Sequence, residues 1–170
     1  MPDKESPYSP NAVHLVRTTQ QINLTLSQMA DQKASILMGA TFVVFTICVG
    51  QAGRQGITAA ILVLALFSFI SAMLAVFAIL PSIGAKPDSG GKPNILFFGT
   101  FSAMSEDAFA DAVLEELTTD EAIYRLMLRD IYQNGQVLQR KKYRYLGYAY
   151  RTFLAGLTLT VVALLVEWIA

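Results

Sequence analysis

Positive charge and stackable rings alternate in one short run, QRKKYRYLGYAYR, where Arg140, Lys141, Lys142, Arg144 and Arg151 interleave with Tyr143, Tyr145, Tyr148 and Tyr150. Guanidinium and ammonium groups bind phosphate and tyrosine rings stack on bases, so the run has the chemistry to hold an anionic nucleotide. The same residues also make an inner-leaflet anchor, with cations against lipid phosphates and tyrosines at headgroup level. The two roles are compatible, and residue types alone favour the anchor. Upstream, Arg17, Gln21, Asn23 and Gln28 place hydrogen-bonding groups on one segment, either a solvated face or a surface turned to a ligand or partner. Asp31 and Lys33 sit just before an uncharged stretch and read as orienting charges, with a polar pocket or inter-subunit pairing as the alternative. The acidic group Glu115, Glu116, Asp120 and Glu121 reads as solvated surface rather than a cation site.

Other chemistries are absent from the sequence. One cysteine, Cys48, and one histidine, His14, allow neither an intrachain disulfide nor a Cys/His zinc cluster. There is no phosphate-binding glycine loop, no nucleophile elbow, no pair of active-site carboxylates, and no charge in the middle of an apolar block to mark an ion path. The expectation is a protein that is not an enzyme, with no catalytic residues, no metal and no resident cofactor.

The elements that position these residues follow from hydropathy. The chain has 170 residues, of which 54% are hydrophobic and 15% charged, against about 25% charged in soluble domains; its mean hydropathy is +0.44. The apolar residues fall into three blocks. Ala34 to Gly53 is uncharged, and so is Ile57 to Leu80, which stops at Pro81, Gly84 and Pro87; the third block runs from Thr152 to Ala170, near Arg151, Glu167 and an interfacial Trp168. About 20 helical residues cross the roughly 30 Å hydrocarbon core. Between the first two blocks lies only the turn GQAGRQG. All 13 lysines and arginines except Arg54 lie before the first block or between the second and third. The positive-inside rule therefore places the N-terminus and residues 81–150 in the cytoplasm and the C-terminus outside. The first apolar block begins too far along the chain for a cleaved signal peptide, so the N-terminal segment is expected to remain.

In the cytoplasmic parts, Ser9-Pro10 marks a helix start, followed by an apolar stripe of Leu15, Ile22, Leu26 and Met29. One helix is expected from about Pro10 into the first span, projecting about 35 Å from it. After the linker KPDSGGKPN, the run NILFFG is too brief for a span. Ser105 caps a helix with Phe109, Val113, Leu114 and Leu117 on its buried side. Thr118 and Glu121 form a capping-box pattern for another, packed through Ile123, Met127, Ile131, Leu138 and Tyr145 and running into the third span, with weak points at Gly135 and Gly147. Ser35-x3-Gly39, Ser68-x3-Ala72 and Gly156-x3-Thr160 offer faces for close helix packing and oligomer formation. The fold class is an all-α membrane protein: three transmembrane helices, the N- and C-terminal spans extended into a cytosolic helical stalk. Its parts are the N-terminal helix 1–34, spans at 35–53, 57–80 and 151–170, and a cytosolic helical region 81–150.

Three segments in this order around a two-span hairpin, LSQMADQKASILMG (26–39), PNILFFG (93–99) and RDIYQNGQVLQRKKYRYLGYAYRTFLAG (129–156), resemble the transmembrane effector family of the bacterial Pycsar antiphage system. The resemblance extends from about Val13 to Val166. It implies a multi-pass protein of the bacterial inner membrane that senses a cyclic pyrimidine mononucleotide, cyclic UMP or cyclic CMP, made by a partner cyclase on infection. The effector then impairs the membrane, and the cell stops growing or dies before phage mature. Some relatives carry a metal-dependent His-Asp phosphohydrolase domain, which a chain with one histidine lacks. Within that reading the ligand contacts are chosen on residue chemistry: Arg140 or Arg144 for phosphate, Tyr143 or Tyr145 for the base, and Arg17 and Asn23 on a facing helix. The expected partners are the lipid bilayer, the cyclic nucleotide and further copies of the chain, with no nucleic-acid polymer. The alternatives are a constitutive membrane scaffold or partner-binding subunit without a small ligand, and a membrane effector gated by another nucleotide.

Overall fold

The structure is a computed structural model that describes residues 7–80 and 93–169; the linker up to Lys92, with the stop signals Pro81, Gly84 and Pro87, lies outside the described residues. Its elements are α1 (Ala12–Gln55), α2 (Ala59–Ile79), α3 (Phe98–Phe101), α4 (Glu106–Glu116), α5 (Asp120–Val137), a π-helical segment (Leu138–Tyr143) and α6 (Arg144–Ile169), with no strand among the described residues. Three helical stretches are long and apolar enough to cross a membrane: α1, α2, and the continuous run from α5 to α6.

Local chemistry explains the ends of these elements. No proline interrupts α1, which runs unbroken for 44 residues. It opens at Ala12 because Ser9 holds Pro10 and Asn11 in a turn: its carbonyl accepts the Ala12 N–H at 2.8 Å and its Oγ the Asn11 N–H at 3.3 Å. The expected glycine-rich loop is mostly helix. α1 continues to Gln55, and the chain reverses at Gly56, whose φ of +84° suits a residue without Cβ. Thr58 Oγ1 then caps α2 by accepting the Ile61 N–H at 3.3 Å. Ser105 caps α4 as expected, whereas α5 is capped by Thr119 rather than Thr118, whose hydroxyl donates back to the Glu115 carbonyl. NILFFG forms a turn leading into the short helix α3. The irregularity in the last long helix is the π-helical segment, which lies between Gly135 and Gly147 rather than at either.

Contacts divide the chain into two units, Ser27–Leu80 with Gln139–Ala170, and Met1–Leu26 with Pro81–Leu138. In the first of these, α2 packs along α6 through small residues. Lipid gives helices no hydrophobic reason to associate, so close backbone approach and hydrogen bonds must hold them. Ser68, Ser71, Ala75 and Ala78 of α2 are buried, as are Ala149, Gly156 and Thr160 of α6. Ser71 Oγ donates to the Ala149 carbonyl at 2.8 Å. A Cβ at Gly156 would lie 2.3 Å from Phe67 Cβ, so only glycine fits that crossing. α1 joins the pair through Ala30 and Ala34, clustered with Ala78 and Leu146, and through Leu37, clustered with Ala75 and Ala149. Of the three small-residue motifs, Gly156/Thr160 is buried, Ser68 is buried with Ala72 half-buried, and Ser35/Gly39 is exposed, with nothing near a Cβ at Gly39.

In the other unit Val16, Leu126 and Leu138 are buried, as are the polar residues Asn94 and Asp130. It departs from the expected packing faces. Leu114 of α4 and Leu117 at its C-cap are exposed while Phe109 and Val113 are half-buried, and on α5 the buried residues are Leu126 and Asp130. On α1, Leu15, Ile22 and Met29 are exposed; the inward face instead carries Val16, Gln20, Asn23, Ser27, Ala30 and Ala34. A polar network and small residues win that face, because α5 offers hydrogen-bonding groups there and α2 and α6 offer close contact.

Candidate functional site

Asp130 lies one helical turn after Leu126 on the packed face of α5, so its carboxylate is carried into the interior with 7% exposure. Gln20 Nε2 donates to its Oδ2 at 2.7 Å, and Asn94 Nδ2 and Asn134 Nδ2 donate to Oδ1 at 2.7 and 2.8 Å. Three neutral amides thus solvate a buried carboxylate. Burying such a group unpaired is costly, and three well-formed hydrogen bonds offset much of that cost. Each donor is fixed by a different device. Asn134 is one turn along α5; Asn94 is held by its own Oδ1, which accepts the Leu96 N–H at 3.0 Å; Gln20 comes from α1, 110 residues away in sequence. Beside them, Asn23 Nδ2 donates to the Ile131 carbonyl at 3.2 Å, next to Gly135. Sequence reasoning found Asn23 but missed Gln20, Asn94, Asp130 and Asn134. The i,i+4 spacing of Asp130 and Asn134 in RDIYQN was the available signal, and nothing local pointed to the other two.

The basic run lies in the other unit and divides its cations between two tasks. Lys142 Nζ lies 2.6 and 2.7 Å from the two Asp31 carboxylate oxygens and 2.8 Å from Ser27 Oγ, so Asp31 is an ion-pair partner rather than only an orienting charge. Lys141 Nζ donates to the Leu80 carbonyl at 2.8 Å, at the C-terminal end of α2. At the opposite end of α2, Glu167 Oε1 accepts the Ala60 N–H at 3.2 Å. The two charges match the signs of the helix dipole at each end. Arg140 and Arg144 are exposed. Arg144 Nε donates to the Tyr148 hydroxyl at 3.3 Å, with its guanidinium carbon 5.8 Å from the centre of that ring. The hydrogen bond to Tyr148 raises the Arg144 pKa above the ordinary arginine value. Tyr148 is a partner that sequence reasoning had not assigned.

The remaining expected contacts separate by unit. Arg17, exposed on α1, and Asn23 belong to the unit of Asp130; Arg140, Tyr143, Arg144 and Tyr145 belong to the other. Tyr143 packs against the Ala30, Ala34, Ala78 and Leu146 cluster, and Tyr145 lies 6.0 Å from Phe77, ring centre to ring centre.

An all-helical chain with three membrane-length helices and a polar-cored helical unit is a multi-span membrane protein. Residues 14–167 match the family model described as the Pycsar effector protein domain, and the chain belongs to that family. It is therefore an effector of antiphage defence. No curated protein matches the chain, and no solved structure does.

Proposed function

We propose that this effector binds a cyclic pyrimidine mononucleotide, cyclic UMP or cyclic CMP, supplied by a partner cyclase, and answers by impairing the inner membrane, so that the infected cell halts before phage mature. It does so as a sensor and membrane effector, without catalysis. The observation that carries the reading is the family match over 14–167, which covers α2 whole, the other two membrane-length stretches but for their outermost residues, and the Asp130 network. Residue chemistry supports a phosphate contact at Arg140 or Arg144: both residues are exposed, and a guanidinium can bind a phosphate through two parallel hydrogen bonds. Tyr145 beside Arg144 offers a ring for the base, and Tyr143 is the more deeply packed of the two candidates. Arg17 remains exposed, whereas the Asn23 amide already donates to α5. A ligand changes the membrane assembly only through different affinity for two packings of the helices. The π-helical segment that carries Arg140 is a natural element to differ between them, since such segments stand off the regular α-helix. Calorimetry on the purified protein tests the reading: heat is expected with cyclic UMP or cyclic CMP and not with a cyclic purine nucleotide, and equally negligible heat from all three would remove it.

A further inference from the structure

α1 carries two lengthwise faces, and the fold uses only one. The used face is buried at Val16, Ala30, Ala34, Leu37 and Thr41. A second stripe, turned well away from it around the helix, consists of Leu15, Ile22, Met29, Ile36 and Val43, with exposures of 70, 52, 42, 62 and 56%. These residues follow one another at intervals of seven. A strict seven-residue repeat drifts only about 20° per step around an α-helix, so these residues hold one of the two seam positions of a heptad throughout, with the small or polar Thr18, Thr25, Gln32 and Gly39 at the other. Ile36 and Val43 fall in the uncharged stretch that lipid can cover. Leu15, Ile22 and Met29 precede Asp31 and Lys33 and fall outside that stretch, where the alternative to a protein partner is water.

The structure assigns this stripe to α1 of a second copy of the chain, packed in parallel across a twofold axis. Copies inserted with one topology present α1 side by side in the same direction and register, so each stripe meets itself in an isologous contact. Charge agrees with self-association. Around the helix, Arg17 and Asp31 lie far from the stripe, and Lys33 is the one charged residue on or beside it between Leu15 and Val43. In a parallel two-stranded coil the position five residues before it on the other strand is its neighbour, which places Lys33 against Gln28, an amide with an acceptor oxygen, and not against a like charge. At the membrane end Gly39, with open space around it, lets the two backbones approach closely.

Disulfide trapping in native membranes tests the assignment. On a Cys48→Ala background, which removes the sole cysteine, single cysteines are placed by Leu15→Cys, Ile22→Cys and Met29→Cys, with Leu24→Cys as an exposed control on the opposite side of α1. Disulfides need Cβ atoms within about 4.5 Å, so the stripe positions should give on the order of tenfold more dimer than the control. Equal trapping at all four, no trapping, or a product whose mass is not twice that of the chain overturns the assignment. A second measurement does not depend on trapping. Leu15→Glu with Ile22→Glu alters two exposed side chains and should leave helix content unchanged by circular dichroism while shifting the detergent-solubilised protein from dimer to monomer; a dimer that persists counts against the seam.

Discussion

Asp130 occupies an inward position where an apolar residue would be the ordinary choice, and its neighbours are chosen to suit it. A carboxylate only accepts hydrogen bonds, so Gln20, Asn94 and Asn134 must all present their N–H groups. Asp130→Ala leaves three inward donors without an acceptor and should lower stability on the order of 3 kcal/mol. Asp130→Asn should cost much less: the new amide keeps one oxygen for Asn94 and Asn134, and Gln20 can turn its own oxygen toward the new N–H. Thermal unfolding of the two variants in detergent checks this, and similar losses would mean the network does not hold the unit together. Arg144 leads to a different kind of expectation. Its hydrogen bond to Tyr148 raises its pKa, so it remains a cation until the pH exceeds the arginine range. If arginine holds the ligand phosphate, affinity measured by calorimetry should be flat from about pH 6 to about pH 9. An affinity that changes within that range would instead implicate a group other than arginine.

Among the elements, the α2–α6 crossing depends on a missing side chain. The built Cβ at Gly156 falls 2.3 Å from Phe67 Cβ, so Gly156→Val should destabilise the membrane unit by about 2 kcal/mol through overpacking. Phe67→Gly in the same chain removes the clashing Cβ itself, so adding Gly156→Val should cost less there than in the native background; the unfolding midpoints of the single and double variants give the answer.

For the whole molecule, the distribution of charge between the two units matters more than its zero sum. The cations of the basic run hold α1 and the end of α2 at Lys142 and Lys141, and are turned outward at Arg140 and Arg144. Arg140→Ala with Arg144→Ala should therefore abolish toxicity while the protein still inserts in the membrane, as judged by fractionation. Undiminished toxicity would assign these arginines to lipid headgroups. Lys142→Ala acts on the fold instead: it removes a partly exposed pair worth about 1 kcal/mol, and should lower stability by that order without changing affinity for the cyclic nucleotide.

The all-helical class and the three membrane-length helices were legible in the sequence because hydropathy and helical period are local properties: a run of uncharged residues is apolar whatever it touches, and Ser105 caps α4 with groups three residues away. The ends of elements were legible to within a residue or two, as the shift from Thr118 to Thr119 shows. What the tertiary structure decided was which face of each helix is used. The most regular apolar stripe on α1 stays exposed, while Gln20 and Asn23 on the adjoining face meet α5 more than 100 residues later. Likewise Lys142 and Asp31 each read as a boundary charge until the fold brought them within 2.6 Å. Period and polarity specify that a face exists; only the partner that arrives opposite it, from far along the chain, specifies whether that face is buried.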